Sequence, residues 1–499
     1  MYPIDFFWRT LVRAPDRPAV ISADGALSYR MLAAKVTRRA AALVARDPAP
    51  GSRVALGAAN TAEHLIALLA IMAAGKIWVP LNPRNGDAEL LRIVSFVKPS
   101  LILADDDMLA RLEPGGGPLA SLSILEEGGG DPTRLPMGPY GIASIALETA
   151  QAIKFTGGST GAPKAVQQPL RAWNTNIATQ LRELGLRADD RYLVAAPITH
   201  GTGTYMLPML GAGGTLVFPD HPKPAEMLDA IAAHGVTLFF APATLIMALA
   251  DAQRQAPRDL SSLRYVIYGG APMRPDQIRE AQAVFGPVIC TTYGQTEAPQ
   301  IATFLPPHEM NEQTIASVGR PTFLTKIAII DENGAPLPPG ETGEIALRGD
   351  LVMSDYLDAP EATRKTIVDG WLRTGDAGAF DENGYLFLRD RLRDVIITGG
   401  FNVYPSDVET VLSRHPAVAD CAVVGIPDPK WGEAVHAAVQ LRPGTCAAPE
   451  ELMALVKAEL GSVKTPKHIH FMAQLPRSPL AKVMKAAIRD EICRRGTPS

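Results

Sequence analysis

Cysteine is scarce: Cys290, Cys421, Cys446 and Cys493 are the only four in 499 residues, with no CxxC pair and no His/Cys ligand spacing. That pattern excludes a disulfide scaffold, argues against a zinc site and suits reduced thiols in a cytosolic protein. A large charge excess is also missing. The formal net charge is −4, so no basic field points to nucleic acid. No apolar run approaches the ~20 residues of a membrane span; the most apolar, Leu65–Gly75, has 11 and reads as a buried helix. The start, MYPIDFFWRTLVRAPDRP, carries charge inside its apolar stretch and has no signal-peptide core. The expectation is a cytoplasmic protein. Glycine and proline, 43 of each, fall well short of a disordered or collagen-like composition. No internal repeat is visible.

What is present is a long alternation of strands and helices. The stretch AVISADGALSYRML reads as two strands about an Asp24-Gly25 turn, running into a helix near Met31–Val44. SRVALGA is a strand, Asn60 and Glu63 suggest a capping box, and a helix follows. IWVPLNP and SLILADD are further strands, and Pro114–Gly130 reads most simply as a surface loop, with a functional lid as the alternative. Beyond it, RYLVAAPI, GTLVFP, VTLFFAP, LRYVIYGG and PVICTTYG alternate with helical segments. Such alternation implies parallel sheets covered on both faces. After Gly319 the texture shifts to glycine- and proline-punctuated hairpins, and a compact α+β segment closes the chain after about Asp394. At 499 residues the chain exceeds one ordinary core.

KFTGGSTGAPKAV, Lys154 to Val166, packs three glycines and three hydroxyl side chains before Lys164. Glycine reaches positive φ and lets backbone N–H groups approach phosphate oxygens closely. A P-loop NTPase is excluded by spacing: Pro163 precedes the lysine where GxxxxGK[ST] needs glycine, and Ala165 follows it. Alone, such a loop could be a plain surface turn.

Four further blocks follow in order: TTYGQTEAP from Thr291, GWLRTGD from Gly370, DRLRDVIITGGFNVYPSDVE from Asp390 and LPRSPLAKVMK from Leu475. With the glycine loop they resemble the signature blocks of the adenylate-forming superfamily, most closely the acyl- and aryl-CoA ligases, over nearly the whole chain. The resemblance implies an α/β fold: a large N-terminal domain of α/β sheets with a small β-rich subdomain, then a small mobile α+β C-terminal domain. The expected division is residues 1–390, a hinge at 391–393 and 394–499. The implied activity joins a carboxylic acid to coenzyme A in two steps. The acid attacks the α-phosphate of ATP, releasing pyrophosphate, and the CoA thiol then displaces AMP.

By that resemblance Thr156, Gly157, Gly158, Ser159, Thr160 and Gly161 wrap the β- and γ-phosphates, supported by Lys164. Tyr293 lies against adenine, flanked by Gly294 and Gln295; Thr296 bonds the α-phosphate and Glu297 holds Mg²⁺. Gly269, Gly270, Ala271 and Pro272 border the nucleotide, although YGGAP could also be a simple strand-ending turn. Asp376 and Arg391 reach the ribose. Lys482 is the expected catalytic lysine of the first step, with Lys485 a competitor read as a solvated charge at a helix start. Arg393 is the pivot, Gly399 and Gly400 line the pantetheine path, and Trp431 lies near the CoA face or in the core. His200 gates the carboxylate site. Gly201, Thr202, Phe239, Phe240, Thr292, Gly294 and Pro299 line a pocket for an aromatic or medium-chain monoacid, with no basic residue evident for a second carboxylate.

The expected partners are therefore the acid, ATP and CoA, without nucleic acid or a membrane span; a homodimer is left open. Two departures keep rivals in view. Gly157 stands where the family usually has serine, and Leu480-Ala481 where Thr-Gly is common. The rivals are an enzyme that loads a carrier-protein pantetheine and a non-catalytic sensor of nucleotide or acyl-adenylate.

Overall fold

A computed structural model of the chain describes residues 1–122, 131, 135–139, 145–156, 164–478 and 483–495. The chain groups into two compact units. One comprises Met1–Ile327 with Leu347–Leu372, the other Ala328–Ala346 with Arg373–Ser499.

The first unit holds two sheets. In the nine-stranded one, Pro18–Ser22, Thr215–Val217, Arg191–Leu193, Leu238–Ala241, Tyr265–Tyr268 and Ile289–Tyr293 run parallel as neighbours. Antiparallel partners close its two ends, Gly25–Ser28 on one side and Thr303–Leu305 with Arg320–Pro321 on the other. In the seven-stranded sheet, Ala150–Thr156, Ile77–Leu81, Arg53–Gly57, Leu101–Ala104 and Leu119–Ser121 are parallel. Lys164–Pro169 and Asp355–Tyr356 add to it antiparallel. The parallel centres are the expected consequence of strand–helix alternation; Gly25–Ser28 and Lys164–Pro169 join as hairpins, which need no crossover, whereas Asp355–Tyr356 arrives from a distant part of the chain.

The 11-residue apolar run lies in the helix Ala62–Ala73, where every side chain except Glu63 is buried, as a helix apolar on all sides requires. Its cap differs from the expected box. Thr61 accepts from the His64 amide, while Asn60 bonds Ala196 O at 2.7 Å and accepts from Ile198 N at 3.1 Å. Glu63 pairs with the buried Arg39 instead of reaching back to the cap. A distant backbone segment has outcompeted the local motif for the asparagine. The predicted loop at Pro114–Gly130 also differs. Leu119–Ser121 is an edge strand that aligns Leu119 with Ile102, and 123–130 lie outside the described residues.

In the second unit, residues 376–380 of the strand Trp371–Phe380 pair antiparallel with Leu386–Arg391, setting Asp376 opposite Arg391. A five-stranded sheet follows, built on the long pair Val418–Asp428 and Gly432–Leu441, with His468–Phe471 parallel to the latter. Strand alternation sends Cys421 and Val423 into one core, with Val408, Leu452 and Val456 from two helices. Ala422, Val424 and Ile426 face the other core, with Ile488 and Ile492 of the helix Lys485–Arg495. Lys485 is not a solvated charge: its Nζ lies 2.8 Å from Glu409 and 3.5 Å from Asp390, and only 22% of its side chain is exposed. Burying those two carboxylates raises their pKa values, and the ammonium between them is the compensating charge.

Candidate active site

In open parallel sheets, ligand sites form where strands end at their carboxyl edges. Four neighbouring parallel strands of the first unit end together, at Leu193, Ala241, Tyr268 and Tyr293. The segments that leave these ends carry His200, Gly201 and Thr202, then Gly269–Pro272, then Gly294–Glu297 and Pro299.

After Tyr268 come Gly269, Gly270, Ala271 and Pro272, with Gly270 at φ +78°. A Cβ on Gly269 would stand 3.0 Å from the Phe240 ring and 3.1 Å from Thr292 O, so the backbone packs where no larger residue fits. Tyr293 is buried and leads into a tight turn in which Gln295 and Ala298 exchange backbone bonds of 2.9 and 3.2 Å. Gly294 is required there: an added Cβ would meet Gln300 backbone atoms at 2.7 Å. The Thr296 carbonyl accepts from Gln168 Nε2 at 2.7 Å. Glu297 accepts a 2.8 Å bond from the Tyr356 hydroxyl, and its carbonyl accepts from Met353 N at 2.7 Å.

Tyr356 also forms the floor under Lys164, whose Nζ sits 4.6 Å from the ring centroid. The short strand Asp355–Tyr356 pairs with the strand beginning at Lys164, so lysine, tyrosine and glutamate form one connected row. Thr156 lies opposite Lys164 in the hairpin register. Gly157, Gly158, Ser159, Thr160 and Gly161 lie outside the described residues, as does Lys482.

His200 caps the helix Gly201–Ala212, with its Nδ1 2.8 Å from Thr199 Oγ1. Burial, joined by the charges of Lys154 and Arg84, lowers its pKa to about 4, so the ring is neutral at neutral pH. Beside it Tyr205 stacks on Phe240 at 5.4 Å and on Tyr192 at 5.7 Å. Gln300 donates from Nε2 to Tyr205 Oη at 3.0 Å and to Thr292 Oγ1 at 3.2 Å. Its backbone is left-handed, φ +66°, an uncommon state for a residue other than glycine. Phe240, Thr292 and Gly201 thus pack around Gln300 and Gly269. Phe239 and Thr202 are fully buried.

Sequence reasoning did not single out Tyr356, Tyr205 or Gln300. Tyr356 lies far along the chain from Lys164 and outside any block. Gln300 follows the YGQTE block by three residues, close enough that the block's edge was a usable signal.

In the second unit Arg391 Nε lies 2.7 Å from Asp376 Oδ1; the two residues expected at a ribose are paired with each other across the hairpin. Gly399 (φ +58°) and Gly400 (φ +84°) turn the chain between Ile396–Thr398 and Phe401–Val403. The Gly399 amide bonds Trp431 O at 2.8 Å, and a Cβ there would stand 3.1 Å from the indole. Trp431 is 38% exposed, with Lys430 and Lys467 over its ring at 4.8 and 5.3 Å. It is not a core residue.

Among the described residues no group of three or more His, Cys, Asp or Glu is arranged to hold a metal, and no helix is long and apolar enough to cross a membrane.

Comparison with known proteins matches residues 7–357 to the AMP-binding enzymes and residues 407–482 to the AMP-binding enzyme C-terminal domain. A feruloyl-CoA synthase of an Amycolatopsis species is 35% identical over 95% of this chain and 96% of its own. The medium/long-chain-fatty-acid–CoA ligase FadD8 of Mycobacterium tuberculosis is 33% identical over 96% of this chain and 88% of its own. Among solved structures, the amide bond synthetase McbA from Marinactinospora thermotolerans superimposes with a TM-score of 0.88 at 32% identity, covering 98% of this chain and 99% of its own.

Proposed function

The chain belongs to the AMP-binding enzymes of the adenylate-forming superfamily, and on that footing we propose that it is an ATP-dependent carboxylic acid:CoA ligase acting in the cytoplasm on an aromatic or medium-chain monocarboxylate. The observation that carries the reading is the row Lys164–Tyr356–Glu297, with Lys164 opposite Thr156 at the carboxyl end of the latter's strand and Glu297 just past the carboxyl end of Ile289–Tyr293. It supports the reading by joining one cation and one hard carboxylate through a shared tyrosine.

A carboxylate is a weak electrophile and its oxygen a poor leaving group, so the reaction needs alignment and charge stabilisation above all. The acid oxygen attacks the α-phosphorus of ATP, and pyrophosphate leaves with the broken anhydride bond. Residues 156–161 and Lys164 hold the departing phosphates, and Thr296 bonds the α-phosphate. The single carboxylate of Glu297 would hold Mg²⁺, which takes one or two protein carboxylates alongside substrate phosphates, and the ion would supply charge neutralisation on the phosphates. Tyr356 orients that carboxylate, Asp376 and Arg391 address the ribose, and Lys482 neutralises charge growing between acid and phosphate. Neutral His200 borders the acid without competing for its charge. In the second step the CoA thiol sulfur bonds the acyl carbon and AMP leaves, with Gly399, Gly400 and Trp431 along the thiol's approach. A division at 391–393, pivoting on Arg393, separates the two half-reactions.

The test is pyrophosphate release with a panel of aryl, short-chain and medium-chain acids, followed by CoA consumption. Turnover with at least one monoacid is expected, and Lys482→Ala is expected to lower adenylation by 100-fold or more, from loss of roughly 3–4 kcal/mol of barrier stabilisation. Full adenylation by that variant removes the catalytic assignment. Pyrophosphate release without consumption of free CoA transfers the reading to another acceptor, a carrier-protein pantetheine or an amine.

A further inference from the structure

Lys154 has no place in the reaction as set out above. It lies on the strand that enters the glycine loop, 8% exposed. Its Nζ sits 5.0 Å from the ring centroid of Trp78 and 5.5 Å from that of Trp173. The two indoles meet edge to face at 6.1 Å. Trp78 pairs with Ala152, two residues before Lys154 and on the same sheet face, and Trp173 comes from the helix Leu170–Glu183 after the returning strand. Among the described residues no carboxylate pairs with this ammonium. Burial alone lowers its pKa, to about 8, and its charge in turn acts on His200.

A buried charge ordinarily has a counter-charge. Two indole faces attract a cation but leave it without an anion. We propose that Lys154 is a substrate-binding residue whose ammonium is the buried counter-charge for the carboxylate of the incoming acid. The acid is favoured over the nucleotide as the source of that oxyanion because the charge of Lys154 acts on His200, which directly precedes Gly201, the residue packed against Phe240 and Gln300. Arg84, the other cation acting on His200, is exposed and therefore screened by water, so Lys154 supplies the desolvated charge. The indoles hold the ammonium in place before the acid arrives, so little ordering remains for the binding step. Specificity follows as well: an uncharged isostere of the acid would leave the cation buried without its partner.

This inference rests on the proposed function for its substrate class, and the experiment separates the two. Wild type and Lys154→Met are compared for pyrophosphate release with octanoate and ferulate, varying acid and ATP independently. The expected result is a rise of at least tenfold in KM for the acid with less than a threefold change in KM for ATP. A rise confined to ATP assigns the lysine to phosphate and overturns the proposal. Unchanged constants for both make it a structural cation and overturn it equally.

A second measurement needs no variant. Calorimetry of wild-type protein with octanoate or ferulate at pH 8, in two buffers of different ionisation enthalpy, should show net proton uptake that fades toward pH 6. An acid that binds with no uptake at pH 8 overturns the proposal even if Lys154→Met fails to fold. A wild type that binds these acids but releases no pyrophosphate refutes the ligase reading alone.

Discussion

Replacing Gly201 by alanine should narrow the proposed acid pocket without disturbing the backbone. The residue opens the helix Gly201–Ala212, and its φ lies outside the left-handed region, so alanine is conformationally acceptable. The new methyl would stand 2.5 Å from Phe240 Cε1, 2.8 Å from Cζ and 3.0 Å from Gln300 Oε1. Carbon atoms in contact sit about 3.5–4.0 Å apart, so the ring must retreat by roughly 1 Å. Its escape is blocked on one face by Tyr205, itself stacked on Tyr192, and Gln300 is pinned to Tyr205 and Thr292. The strain of such overpacking is about 1–3 kcal/mol, and a pocket shortened by one methyl discriminates by roughly 10- to 200-fold. In the pyrophosphate assay kcat/KM for octanoate and ferulate should fall about 10- to 100-fold, while that for acetate changes less than about threefold. An equal loss across all three acids would place Gly201 outside the acid pocket and refute the reasoning.

Tyr356→Phe keeps the ring under Lys164 but removes the bond to Glu297; a hydrogen bond to a charged group contributes about 1.5–3 kcal/mol, so the half-saturating Mg²⁺ concentration should rise about tenfold, and an unchanged Mg²⁺ dependence counts against the tyrosine's orienting role. Gly319 lies at φ +89°, and an added Cβ would stand 2.0 Å from Phe304 O; Gly319→Ala should therefore cost more than about 4 kcal/mol, read as lost soluble expression or a large drop in Tm. His436 is buried against His468 and His470, and burial followed by the charges of those two rings lowers its pKa from 6.5 to about 4. As pH falls from 6.5 the unfolded chain takes the proton first, so up to ~3 kcal/mol of stability disappears between pH 6.5 and pH 4 and no more below it. Tm measured across that range should be flatter in His436→Gln, and parallel curves would contradict the assignment.

The parallel centres of both large sheets were legible because strand–helix alternation leaves few other arrangements, and the apolar run in Ala62–Ala73 could only be a buried helix. Local signals failed where a distant segment competed for the same group. Asn60 carries a good capping side chain, yet it satisfies backbone atoms of Ala196 and Ile198, partners more than 130 residues away that no local motif encodes. Lys485 failed for the same reason: the carboxylates that enclose it come from Asp390 and Glu409, and a helix-start lysine read alone is a solvated one.

The site divides along the same line. Blocks of contiguous residues singled out Gly294, Gly269, Asp376 and Arg391 as residues, but not the tight turn at Gly294 or the pairing of Asp376 with Arg391 across a hairpin. Tyr356 and Lys154 announced nothing. In the sequence Lys154 is one more cation near a glycine loop, ten residues before the lysine that belongs to it. In the fold the two diverge: Lys164 is exposed and shares a tyrosine with Glu297, whereas Lys154 is sealed between two indoles. The energy that separates them is desolvation, which depends on what surrounds a side chain and not on its neighbours in the chain. A lysine so placed is relieved by losing its proton, by the indole faces or by an incoming anion, and the comparison of acid and ATP dependence in Lys154→Met separates the last from the others.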